Sequence, residues 1–259
     1  MKYFTGIDIG STASKVVVLD AEGIAAYFVI PTGWNSKDTA REIARRLSDK
    51  GMPVDDEMKV LATGYGRIAV DYADKVVTEI TCHGRGGYHL LGRDCTIVDI
   101  GGQDTKVITV EKAVSVNFLM NDKCAAGTGK FLEIMANRLN VELAEMFDMA
   151  AQGEPLAISS MCTVFAESEV ISHIGAGERR EDIAAGVVDS VVNRVAGLCS
   201  RHNVGRDVLL TGGLCECDYL IRRLSAKIGR PIHSDPLGRY AGALGAALIA
   251  RDGKKLPKN

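Results

Sequence analysis

The sequence has almost no charge bias: 31 Lys and Arg residues against 33 Asp and Glu leave a formal charge of −2. A chain so balanced carries no electrostatic footprint for nucleic acid or for an anionic membrane surface, and neither is expected as a partner. No uncharged apolar run comes near the ~20 residues of a membrane-spanning helix. Asp8 also interrupts the apolar start of the chain where a secretory signal region would need to continue. These absences predict a cytoplasmic protein. Cysteine occurs seven times, an odd number scattered along the chain, which argues against a disulfide framework. Cys215 and Cys217 stand too close together for a zinc knuckle and have no second pair to complete one. Linkers and low-complexity segments are lacking as well. A chain of 259 residues, 46% of them hydrophobic, can build one large domain or two smaller ones, each with a sizeable core.

What is present begins with a hairpin. An apolar run over residues 3–9 ends in Asp8-Ile9-Gly10, the polar turn Ser11 to Lys15 follows, and Val16 to Leu19 is a second strand-like run. A phosphate loop of the Walker type would open a helix at this place, and a strand follows instead, so that reading fails. The same device returns at Val98 to Lys106, followed by Val107 to Val110. Asp8 and Asp99, Gly10 and Gly101, and Lys15 and Lys106 are each 91 residues apart, an internal repeat without a gap. Two such hairpins facing each other can offer backbone N–H groups, Ser11, Thr12 and Gln103 to a polyphosphate. Asp8 and Asp99 would then hold a hydrated magnesium ion between them, and Lys15 would neutralise phosphate charge.

Between and after the hairpins, periodicity predicts a strand over 25–30, a helix over 36–50 and a strand over 58–63 that runs into the turn Gly64-Tyr65-Gly66. A helix is expected over 82–91 although Gly84, Gly86 and Gly87 weaken it. Further helices are expected from near Cys124, over 141–151, from Cys162, and over 181–200. A strand over 207–213 ends in the pair Gly212-Gly213, where missing side chains let backbone lie against a flat adenosine. The chain closes with a helix over 240–249 whose small residues permit close backbone approach.

Two cysteines stand out. Cys124, in Asn121-Asp-Lys-Cys-Ala-Ala-Gly-Thr-Gly129, and Cys162, in Ser159-Ser-Met-Cys-Thr-Val-Phe-Ala-Glu-Ser-Glu-Val170, each read as lying at or just before a helix start. The unpaired N–H groups and partial positive charge there stabilise a thiolate or an anionic cluster.

Residues Gly6 to Lys15, Val98 to Lys106 and Leu209 to Gly213 resemble the two phosphate motifs and the adenosine motif of the actin, sugar kinase and chaperone ATPase superfamily, over the whole chain. That resemblance implies an α/β fold of two ribonuclease-H-like domains hinged over ATP or ADP and Mg²⁺. The domains would comprise residues 1–94, with the C-terminal helix 239–259 packing back on them, and residues 95–238. Ser11, Thr12, Ala13, Ser14 and Lys15, with Gly101, Gly102, Gln103, Asp104, Gly212 and Gly213, would bind the nucleotide; Asp8, Asp99 and Gln103 would take catalytic roles.

The two cysteine segments resemble those of the activators, or component A, of 2-hydroxyacyl-CoA dehydratases, a family that includes benzoyl-CoA reductase ATPase subunits. The resemblance implies that Cys124 and Cys162 of each subunit ligate one 4Fe-4S cluster shared across a homodimer. It also implies an oxygen-sensitive ATPase that takes an electron from ferredoxin or flavodoxin and passes it to a dehydratase partner. After Gly213 the stretch Leu214-Cys-Glu-Cys-Asp218 departs from the family pattern. The competing expectation is a small-molecule kinase or sugar-sensing ATPase without a cluster, which would need a substrate-side carboxylate base that the sequence does not place.

Overall fold

Strand alternation builds the first sheet. In the computed structural model, which describes residues 2–122, 125–158 and 162–253, β1 (Tyr3–Ile9) and β2 (Ala13–Leu19) pair antiparallel, with Asp8 opposite Lys15. With β3 (Ile24–Pro31), β4 (Met58–Thr63) and β5 (Lys75–Val76) they form a sheet in the order β3-β2-β1-β4-β5. Val16 and Val18 point to one face, among Ile7, Ile9 and Ile43 and Leu47 of α1 (Ser36–Asp49). Val17 and Leu19 point to the other, against Leu244 and Leu248 of α8 (Ala241–Asp252). Burial on both faces is why these strands read as unbroken apolar runs.

The described residues fall into two compact units. One holds those up to residue 95, residues 108–117 and those from 237 on; the other holds residues 96–107 and 118–236. In the first unit α8 lies on β1 and on α2 (Glu79–Leu91) at backbone distance. A Cβ on Gly6 would stand 1.9 Å from the carbonyl oxygen of Ala243, and one on Gly245 only 1.8 Å from that of Cys82. Of the glycines that weaken α2 as an isolated helix, Gly86 is contact surface for α8, with its Cβ position against Ala241 O, and Gly84 faces Ser115 Oγ, so packing outweighs their ~1 kcal/mol helix penalty.

The second sheet consists of β6 (Cys95–Ile100), β7 (Thr105–Glu111), β8 (Val114–Asn121), β9 (Val208–Gly212) and β10 (Ile232–His233), in the order β10-β9-β6-β7-β8. β9 runs parallel to β6 as β4 does to β1, so the repeat seen in the sequence extends to the topology. β8 is not expected from the sequence. Lys112 and Ala113 both take positive φ, 50° and 64°, in a two-residue turn that usually announces itself with Asn-Gly.

Helices α3 (Gly129–Arg138), α4 (Leu143–Ala150), α5 (Thr163–Gly175), α6 (Arg180–His202) and α7 (Asp218–Ile228) complete the second unit. Phe131, Met135, Val187, Val191 and Leu224 share one buried cluster with Val98, Ile100 and Leu210. Each such side chain contributes about 1.5–3 kcal/mol by leaving water. The 23-residue α6 is long and apolar enough to cross a membrane by composition alone. Here it serves as a core helix, with twelve of its residues buried.

Candidate functional site

The two hairpins share one local construction. Gly10 N donates to Ala13 O at 3.2 Å and Gly101 N to Asp104 O at 2.9 Å, closing equivalent turns. The equivalent position before each lysine, Ser14 or Thr105, bonds outward to a neighbouring segment. Ser14 Oγ pairs with Thr32 Oγ1 at 2.8 Å, and Thr105 Oγ1 donates to Gly127 O at 2.7 Å.

Their charges differ. In the first hairpin Asp8 is 5% exposed, and its carboxylate lies where a Cβ on Gly64 would stand 2.4 Å from Oδ1 and one on Gly242 2.8 Å from Oδ2. Lys15 Nζ is 3.9 Å from Asp8 Oδ2 and keeps part of its side chain open. In the second hairpin Lys106 is 2% exposed and sits between two carboxylates, 2.7 Å from Asp104 Oδ2 and 3.5 Å from Asp99 Oδ2. The repeat places Asp104 where the first hairpin has Ala13. That extra carboxylate holds Lys106 inside, while among the described residues Lys15 has only Asp8 as an ion-pair partner and can turn to an incoming anion.

Asp99 is also bonded to the strand beside it: Thr211 Oγ1, fully buried, donates to Asp99 Oδ1 at 2.8 Å. Among the other expected nucleotide residues, Ser11, Ala13, Gly101 and Gly102 are half-exposed, while Thr12, Gln103 and Gly213 are exposed. Ser14, Asp104 and Gly212 are buried and engaged within their own units. Gly212 has φ +93° and a Cβ there would strike Ile100 O at 2.2 Å, so β9 needs glycine for its approach to β6. A Cβ on Gly213 would meet nothing within 4 Å, which leaves its open face to a ligand.

Cys162 is the N-cap of α5, with extended φ −120° and ψ 136°, a free and half-exposed thiol. Val164 and Phe165 beside it are 65% and 67% exposed. Among the described residues Thr163 Oγ1 is buried with no hydrogen-bond partner, an orphan hydroxyl of the kind that a sulfur-rich group could accept from. Cys124 lies outside the described residues. The helix after it starts later than its sequence suggests: Thr128 is the N-cap of α3. The first two amides of α3, Gly129 N and Lys130 N, donate to Gly101 O and Gly102 O at 2.9 Å each. They are therefore spent on the second hairpin. The segment from Ala125 to Thr128 is held further by Asn121 Nδ2 to Ala126 O at 3.2 Å.

The remaining thiols differ in kind. Cys82 and Cys199 are buried, and desolvation pushes each up to about 12; Cys95 and Cys215 are buried too. Among the described residues no three His, Cys, Asp or Glu side chains gather as a metal site. Sequence reasoning did not single out Thr105, Thr163 or Thr211 as site residues in their own right. Their signal was weak, because a threonine acts through the one partner that tertiary structure gives it.

The model of the BadF/BadG/BcrA/BcrD ATPase family matches residues 5–250. The (R)-2-hydroxyglutaryl-CoA dehydratase activating ATPase of Acidaminococcus fermentans is 46% identical over 252 residues, covering 96% of each chain. The structure of the activator of the 2-hydroxyisocaproyl-CoA dehydratase from Clostridium difficile, with bound ADPNP, superposes with a TM-score of 0.89 at 40% identity. That match covers 99% of this chain and 100% of the other. A ROK family glucokinase from Streptomyces griseus, 15% identical with a TM-score of 0.61 over 97% of this chain and 100% of its own, shares the fold alone. The fold is that of the actin and sugar kinase superfamily.

Proposed function

The chain belongs to the BadF/BadG/BcrA/BcrD ATPase family, and from that premise we propose that it is an ATP-driven reductive activator of a 2-hydroxyacyl-CoA dehydratase. Relatives named as activating ATPases of such dehydratases support the ATPase and the partner class. The kinase alternative has less support, since the sugar kinase likeness is one of fold only.

The carrying observation is the pair of bonds from Gly129 N and Lys130 N to Gly101 O and Gly102 O. The hairpin offered to nucleotide phosphates is thereby the anchor of the helix that follows the Cys124 segment. Asp8 and Asp99 would hold Mg²⁺, Lys15 and the turn residues Ser11, Thr12 and Gln103 would take the phosphates, and Gly213 would face the adenosine. Cys124 and Cys162 of two chains would hold one 4Fe-4S cluster in a homodimer, four thiolates being what such a cluster takes. What fits is a half-exposed N-cap thiol, exposed apolar neighbours on α5 and an unsatisfied hydroxyl next to it. When bound, the group would carry one electron from ferredoxin or flavodoxin to the partner.

A rearrangement of Gly101 and Gly102 on nucleotide exchange would reach the first turn of α3, just after the Cys124 segment, through two hydrogen bonds. ATP shifts that equilibrium only by its differential affinity for the two states; turning a mostly closed population mostly open needs about 5.5 kcal/mol, shared by two nucleotides. Anaerobic purification followed by iron, sulfide and mass measurement tests the reading. The expected result is about four irons and four sulfides per two chains; an iron-free ATPase would overturn it.

A further inference from the structure

In the second unit the core helix α6 borders a cavity of 540 Å³. Arg194 and Arg201 line it with Asn121, Asn193 and Thr105, and among the described residues no carboxylate does. Arg201 is exposed and has no acidic partner among the described residues.

The floor is Gly197, an exposed glycine in the interior of a 23-residue helix. Such a glycine costs about 1 kcal/mol against alanine, and a Cβ there would meet no atom within 4 Å. The packing of the chain on itself therefore gives no reason for it, whereas a molecule lying close on the helix does. Gly127, with φ +90°, lines it beside Arg194, its Cβ position 2.7 Å from Arg194 Cγ. The cavity thus adjoins the loop that Thr105 and Asn121 hold.

We propose that this cavity binds a small organic anion with two or more phosphate or carboxylate groups. Arg194 and Arg201 are seven residues apart, about 10.5 Å along the helix, so a molecule with two anionic groups can meet both guanidinium groups, and a single small anion meets one. Arginine's fixed fork of donors suits either phosphate or carboxylate. Bound there, the anion fastens α6 to the Ala125–Thr128 loop.

Calorimetric titration of the whole protein tests this, with Mg-ADP saturating the nucleotide residues and magnesium in excess. Fructose 1,6-bisphosphate is one probe and citrate the other. Saturable binding of one molecule per chain is expected with at least one of them, and which one binds distinguishes a phosphate ester from a polycarboxylate. Arg201→Glu should weaken it at least tenfold. Gly197→Leu should do the same by filling the floor, while favouring the helix and so keeping the fold. The absence of saturable binding by either probe, or wild-type affinity in both variants, would overturn the proposal.

Discussion

Thr211 Oγ1 donates to Asp99 Oδ1 at 2.8 Å across 112 residues of sequence. The bond joins the penultimate residue of the strand that ends at Gly212 to the acid of the second hairpin, two motifs recognised separately in the sequence. Asp99 also faces Lys106, so one carboxylate is oriented from two sides before any ligand arrives. Substituting Asp99→Ala should remove magnesium-dependent ATPase activity, by on the order of 100-fold or more, and leave iron content per chain unchanged. Parallel loss of iron and ATPase activity would show that the two sites are one.

The two repeat lysines should behave differently. Lys106→Met strands Asp99 and Asp104 as buried carboxylates, and breaking a buried pair in this way costs about 3–5 kcal/mol, read as a lower denaturation midpoint. Lys15→Met should lower the midpoint less than Lys106→Met, because its pair with Asp8 is long at 3.9 Å and its side chain is partly open, and should raise the dissociation constant for ATP. Equal destabilisation by both would mean that Asp104 does not set the two hairpins apart.

Cys124→Ser and Cys162→Ser should each abolish the brown chromophore of the anaerobic protein, while Cys95→Ser and Cys199→Ser keep it, since the latter thiols are buried. Thr163→Val keeps the chromophore too, and, by removing a hydroxyl that can donate to sulfur, moves the midpoint of a redox titration to lower potential. Thr163→Ser restores it. A chromophore indifferent to Cys162→Ser would remove α5 from the assignment.

Glycines that serve packing can be told from those that serve a ligand. Gly245→Ala forces a methyl group to 1.8 Å from Cys82 O and should cost more than about 2 kcal/mol or prevent folding. Gly213→Ala meets nothing within 4 Å. Its thermal midpoint should match the wild type while its ATP affinity drops; a falling midpoint with unchanged affinity would reassign Gly213 to packing.

Burial lowers the pKa of His202 below its ordinary 6.5. The unfolded chain therefore takes up the proton first on acidification, so this contribution to stability is present above pH 6.5 and is lost as pH falls through 6.5 toward the lowered value. Urea midpoints measured between pH 7.5 and 5.5 should fall less steeply for His202→Gln than for the wild type. Identical slopes would exclude His202 from the acid sensitivity.

The sequence by itself determined the architecture. Three residue pairs at one offset marked the duplicated hairpins, apolar runs marked strands buried on both faces, and the small residues of 240–249 marked a helix able to lie on backbone. The cysteine segments were legible because each is long and specific. Tertiary structure alone decided how the pieces are used. Lys15 and Lys106 are the same residue at the same repeat position, yet one stays partly open and the other is enclosed, because Asp104 replaces Ala13 and closes on it. Gly212 and Gly213 are adjacent, yet only the first is required by a neighbouring strand. The start of α3 moved from Cys124 to Thr128 because its first amides found the carbonyls of Gly101 and Gly102. β8 escaped prediction because Lys112 and Ala113 adopt a turn that neither residue favours. Propensity and periodicity are local and can be read along the chain. The partner that a charge, a hydroxyl or a missing side chain meets is set by segments distant in sequence, and only folding brings them within reach.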